Sequence, residues 1–398
     1  MADIRCTNRR LLHCVALLAL SLGGCTANRW QNVHSEFVAG RATTVDSEFR
    51  SRKPYIRATV NGRTEGWFLF DTGTPITAIS PEAAARLGLR VIGEQASLDA
   101  NRNRRVSPLG VADSVEFGPM RLQDVRFLLQ DRPTLSYNDV IGVIGMNGLQ
   151  GVTIDLDLIG GEFSITNERL SADGEGVVPL HRTKFAVPFI PVEFDLRGGH
   201  RETRTSWVLV DTGNSGGLRL DNRTSAAVAD TNKARPIDVA VGSHDMRWLI
   251  AEAPLTGGMT LGDTRLEGAR AVVNQQGNNI GIELLGEFRI QIDGVSRLAA
   301  LTRSDGAARL VSLERLGITR LRRYGGAVHA EYVIPGSVAD QNGLTHEDVI
   351  VAINGEKPKA HHLKADFWKV APDAETIQLR IRRLSDGEEL DIAFPIAW

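Results

Sequence analysis

Cysteine is scarce, with three in 398 residues, at positions 6, 14 and 25. All three fall in an N-terminal segment built like an export signal, the basic "MADIRCTNRR" followed by the apolar "LLHCVALLALSLGGC" that ends on Cys25. Loss of residues 1–24 leaves Cys25 alone, which excludes an internal disulfide. That apolar stretch is too short to cross a bilayer comfortably, so a cleaved signal is expected rather than an anchor helix. Excess positive charge is also missing. Lys and Arg number 46 against 48 Asp and Glu, and the formal charge of −2 becomes −4 once the three Arg and one Asp of residues 1–24 are gone. Nothing here offers the basic face that nucleic acid requires. No long low-complexity tract interrupts the chain, which is long enough for two or three domains with cores of their own. Sustained helical periodicity is rare too. Short Val, Ile and Leu runs broken by Gly and polar turns predict a mainly β fold.

The end of the signal, "LGGC", resembles the lipobox of bacterial lipoproteins, in which the chain is cut before the cysteine and that cysteine is lipidated. The resemblance implies lipidation at Cys25 and a membrane contact through the acyl chains. Thr26 stands where an Asp is associated with inner-membrane retention, which implies the periplasmic side of the outer membrane. Residues 25–50, polar and without periodicity, are expected to form a tether.

An acid interrupts the apolar run "WFLFDTGTPITAIS" (67–80). Phe68, Leu69 and Phe70 read as a strand buried on both faces, and Asp71 at its end is costly to bury without a partner or a task. The same arrangement recurs. "PYIRATVNGRTEGWFLFDTG" from Pro54 returns as "PFIPVEFDLRGGHRETRTSWVLVDTG" from Pro188, ending on Asp211. Each copy has a glycine landmark downstream: Gly145 lies 74 residues after Asp71, and Gly281 lies 70 after Asp211. A second landmark, the "ID" aspartates, puts Asp155 beside Asp293 at spacings of 84 and 82. Two similar β units therefore follow one another, over residues 51–170 and 177–302. "SPEAAARLGLR" is the clearest helix, with Ser80 as N-cap and Pro81 at its first position.

Apolar strand, DTG, then apolar-apolar-Gly resembles the aspartic protease superfamily, retroviral and pepsin-like, over roughly residues 51–300. The resemblance implies two pseudo-symmetric β lobes, each giving one aspartate to a shared site, here Asp71 and Asp211. Two carboxylates held together share one proton. The ionised one draws a proton from a water between them while the protonated one donates to the substrate carbonyl, so a peptide bond is hydrolysed with no covalent intermediate, cofactor or metal. Gly73 and Gly213 allow close backbone approach and offer N–H groups to the acids. By the same resemblance, Thr72 and Thr212 bond across to the opposite loop, and Gly145 and Gly281 let a neighbouring segment pack on each DTG loop. The position after DTG usually carries a hydroxyl supporting the carboxylate. Thr74 supplies it in the first lobe, but the second has Asn214, whose amide N–H is expected to donate in its place. A flap over the cleft is expected within residues 91–110, which contain no tyrosine.

Competing chemistry is weaker. "GNSGG" (213–217) fits a nucleophile elbow at Ser215, but the first copy has Pro75 there and a strand-like "LRL" follows where an elbow needs a helix. "GVIGMNG" lacks the helix start that a dinucleotide site requires.

After residue 300 the texture changes. "GGAVHAEYVIPGSVADQNGLTHEDVIVAINGEKP" (325–358) resembles a bacterial PDZ domain, an α+β module expected over 310–398 that binds peptide tails along a sheet edge and holds their carboxylate on backbone N–H groups. The resemblance places carboxylate binding in "RLGI", at Leu316, Gly317 and Ile318. It also makes "HHLKADFWKV" (361–370) the groove helix, "PGSVA" the start of a short helix, and "IQLRIRR" with "LDIAFPI" a closing hairpin. A glycine common in one turn is Glu347 here. Adjacent His361 and His362 point in different directions on a helix, which does not make a metal site. The expected whole is a lipid-anchored endopeptidase acting on protein or peptide substrates, with a peptide ligand on the PDZ unit. The competing expectation is an inactive adaptor that binds through PDZ alone.

Overall fold

The computed structural model describes residues 33–98, 104–130, 137–182, 186–197, 202–241, 247–304, 306, 309–358, 367–371 and 374–395. The chain is mainly β throughout. Phe68 and Phe70 are fully buried in the strand Trp67–Phe70, each stabilising the fold by roughly 1.5–3 kcal/mol through lost apolar exposure. That strand lies between Lys53–Ile56, antiparallel, and Val140–Ile144, parallel. Val140–Ile144 in turn pairs antiparallel with Thr77–Ile79, which runs parallel to Met120–Leu129.

The second copy repeats this wiring. Thr203–Val210 lies between Pro188–Asp195, antiparallel, and Asn279–Ile280, parallel. Asn279–Ile280 pairs antiparallel with Leu218–Asp221, which runs parallel to Arg270–Gln275. The helix Pro81–Arg86 begins as its sequence predicts, with the Ser80 hydroxyl accepting the Ala83 N–H.

The tether expectation fails from residue 34 onward. His34–Phe37 pairs with Met120–Leu129, Ser47–Arg50 pairs with Lys53–Ile56, and Val45 is buried in the core. Strands this short and polar carry no readable periodicity, so they are ordered by pairing rather than composition. Cys25 and residues 1–24 lie outside the described residues.

A five-stranded sheet joins the lobes, in the order Glu162–Thr166, Thr153–Asp157, Phe288–Asp293, Leu298–Arg303, Val177–Pro179. At its centre Asp155 faces Gln291, each ten residues past its landmark glycine. This corrects the alignment of Asp155 with Asp293. The local twofold passes through the Asp155 and Gln291 pair, whereas Asp293 accepts the N–H groups of Leu170, Val295 and Ser296. One continuous apolar core runs through both lobes, and the third unit has a separate one.

The third unit is an antiparallel five-stranded sheet, Ile318–Tyr324, Ala327–Val333, Val349–Ile353, Thr376–Arg382 and Glu389–Pro395. Ser337 caps the short helix Val338–Gln341. The last two strands form the expected hairpin. Glu347 takes the left-handed conformation that a glycine would adopt freely, with φ at 70°. The groove helix is corrected in part. Phe367–Val370 is a strand paired with Arg309–Ser312, and Trp368 and Val370 alternate into the core with period two. Residues 361–366, with His361 and His362, lie outside the described residues.

Candidate active site

Each DTG loop begins where its central strand ends, and the two junctions are built alike. The Asp71 N–H donates to the Ile144 carbonyl at 3.0 Å and the Asp211 N–H to Ile280 at 3.0 Å. Within the loops, the Gly73 N–H donates to Asp71 Oδ1 at 2.9 Å and the Gly213 N–H to Asp211 Oδ1 at 3.0 Å.

The loops then cross. Thr72 N–H donates to Thr212 Oγ1 (3.1 Å) and Thr212 N–H to Thr72 Oγ1 (3.0 Å), while each hydroxyl donates onward to a carbonyl of the opposite strand, Val210 at 2.7 Å and Phe70 at 2.8 Å. Both threonines are fully buried. Four hydrogen bonds thus satisfy six polar groups in a dry setting, where each group would cost about 1–3 kcal/mol if left alone. This crossing brings the acids in. A Cβ on Gly73 would collide with the Asp211 carboxyl, and a Cβ on Gly213 with the Asp71 carboxyl. Each acid therefore packs on the other loop's glycine, a contact no larger residue permits.

Gly145 and Gly281 sit behind the loops. A side chain on Gly145 would strike the Thr74 and Ile76 carbonyls, and one on Gly281 the Gly216 carbonyl and Asn214. The next residues close the contact, with Met146 N–H on Thr74 O and Ile282 N–H on Asn214 O, both at 2.9 Å.

The residues after DTG diverge. Thr74 Oγ1 accepts the Ile76 N–H at 3.0 Å. Asn214 gives its backbone N–H to Asp211 Oδ1 at 3.0 Å, but its side-chain amide goes to Asn279 Oδ1 at 2.7 Å. Asn279 Nδ2 then donates to Asp211 Oδ2. The side-chain support expected of Asn214 is therefore delivered one step removed. The sequence pattern passes over Asn279, although a signal was present: it occupies a position two before Gly281 where the first lobe has apolar Val143. Lys53, also unmarked by any motif, reaches across from the first lobe to donate to Gly213 O at 3.0 Å.

The start of the strand Trp67–Phe70, which leads into Asp71, is clamped at the surface. Arg50 makes two 2.7 Å bonds to Asp139 and lies over the rings of Tyr55, Trp67 and Tyr137. The hydrogen bond from Arg50 holds the Asp139 carboxyl below its usual range, against a smaller opposing effect of burial. The expected flap region forms a long hairpin, Arg90–Leu98 with Arg104–Phe117, whose tip at 99–103 lies outside the described residues. The second lobe has a matching hairpin, Arg235–Val241 with Arg247–Pro254. In the third unit, Leu316 and Ile318 are buried in its core and Gly317 between them has a φ of 87°.

Residues 56–147 match the family model described as aspartyl protease. The match holds Asp71, Thr72, Gly73, Thr74 and Gly145, lies within the first lobe, and supports an aspartic protease domain there with peptidase activity. A search of curated proteins finds none that matches the chain.

Proposed function

We propose that the chain is an aspartic endopeptidase in which Asp71 and Asp211 together activate one water for attack on a peptide carbonyl. The observation that carries this reading is the reciprocal packing of each acid on the other loop's glycine, locked by the exchanged Thr72 and Thr212 bonds. A water between the carboxyl groups gives one proton to the ionised acid as its oxygen adds to the carbonyl. The protonated acid donates to the carbonyl oxygen, and the resulting diol collapses as a proton passes to the leaving amine. Rigid loops keep both acids in place without reorganisation at the moment of reaction. The third unit, read as a PDZ module, would hold a peptide tail against the edge strand Ile318–Tyr324, its carboxylate on N–H groups at 316–318, raising local substrate concentration. Lipidation at Cys25 and residence in the outer membrane facing the periplasm complete the proposal.

The test is cleavage of a peptide library over a wide pH range by the parent and by Asp71→Asn and Asp211→Asn. Cleavage by the parent and by neither variant is the expected result. A parent that cuts nothing at any pH leaves the adaptor reading in its place.

A further inference from the structure

A third-unit arginine is inserted into the second lobe directly behind its catalytic loop. Arg315 sits in the turn Leu313–Leu316, whose two end residues are each 1 % exposed in the third unit's core. Its guanidinium points the other way. Arg315 Nε donates to Glu252 at 2.9 Å and an Nη to Glu283 at 3.3 Å, and all three side chains are buried, at 8 %, 3 % and 1 % exposure. Glu252 also accepts Arg235 and Arg270. Burial alone would lower the Arg315 pKa, but the two carboxylates reverse that and raise it, so the side chain stays charged in place.

Glu283 links this cluster to the catalytic loop. It lies two residues past Gly281, and three successive N–H groups there support the DTG loop's continuation: Gly281 on Gly217 O at 3.0 Å, Ile282 on Asn214 O at 2.9 Å and Glu283 on Gly216 O at 3.2 Å. A cavity of about 40 Å³ lies between Gly216, Gly217, Glu252, Glu283 and Arg315.

We propose that Arg315 is a positioning residue for Asp211: by fixing Glu283 it holds the 281–283 turn on which residues 214–217 rest, so the third unit completes the second lobe's half of the site. The proposal rests on the catalytic reading of Asp211. Buried ion pairs add little net stability but are costly to break from one side, which suits a contact whose value is geometric.

The test uses the full chain with Arg315→Met, Arg315→Lys and Glu283→Gln, read by peptide-cleavage kinetics and by amide hydrogen exchange. Arg315→Met is expected to lower kcat by about ten- to a hundredfold, as small misplacements of reacting groups do, with KM nearly unchanged. Exchange should quicken at 281–283 and 214–217 while Thr72 stays protected, and Arg315→Lys should restore most of both. Glu283→Gln, which keeps the side-chain volume, shows the same pattern more weakly and serves if Arg315→Met does not fold. Unchanged exchange in those two segments, or a loss confined to KM, overturns the proposal. If the parent cleaves nothing, the catalytic reading fails separately, and exchange alone decides whether Arg315 holds the loop.

Discussion

The two DTG loops share a backbone and differ in what stands behind it. Asp N–H to Ile carbonyl, Gly N–H to carboxylate, threonine to threonine, and the bond from the residue after the landmark glycine all recur at nearly equal lengths. Side chains then diverge. The first lobe backs its loop with Val143 and Met146, both buried and apolar. The second backs its loop with Asn279, which bonds Asp211, and with Glu283, which bonds Arg315 of another unit. These bonds use the backbone together with the Asp and Thr side chains that both copies share, so they recur in both. Side chains are where the copies differ: behind the first loop the backing is apolar, whereas behind the second it is a polar relay that reaches Arg315 of the third unit.

The comparison can be broken most severely at the acids themselves. Asp71→Asn and Asp211→Asn should each lower kcat by roughly 10³-fold, the scale of lost acid–base catalysis, with circular dichroism unchanged. An effect on only one side would mean that the pseudo-symmetry does not extend to chemistry. Next come the crossing threonines. Thr72→Val strands the Thr212 N–H and the Val210 carbonyl, and Thr212→Val strands their counterparts, so each should cost about 2–4 kcal/mol in urea unfolding. Unequal costs would show which lobe tolerates loss of the crossing.

The relay separates the lobes more finely. Asn279→Val, which gives the second lobe the residue of the first, should lower kcat about tenfold, the worth of one hydrogen bond to a charged acceptor. A kcat unaffected by that change would make the two loops equivalent after all. The smallest effect is expected far from the crossing. Asp139→Asn removes the partner of Arg50 at the entry to the first catalytic strand, where Asp139 is half exposed (51 %). A cost of about 1 kcal/mol or less is expected by thermal unfolding, as for exposed ion pairs generally.

What the sequence disclosed follows the same division. The repeat could be read because the central strands, DTG and landmark glycines are local signals set by burial and close backbone approach. Ser80 announced its helix through capping chemistry, whereas the helix capped by Ser337 was expected from resemblance alone. Strands 34–37 and 47–50 were not legible because four residues with a single Phe among polar ones look like any tether. The strand Phe367–Val370 was mistaken for helix because its alternating buried pair, Trp368 and Val370, is too short to establish a period. Glu252, Glu283 and Arg315 left no trace, since three charges distant in sequence have no pattern until folding buries them together.

The sheet that joins the lobes has a practical corollary. Thr153–Asp157 and Phe288–Asp293 are each other's neighbours at its centre, so neither half of the chain ends in a finished border. A polypeptide severed near residues 171–175 would leave two fragments, each with a bare strand whose natural complement is the other, and such edges attract any available strand. Fragments made together therefore have a route to reassembly that neither has alone, and cleavage could be made conditional on bringing them into one place.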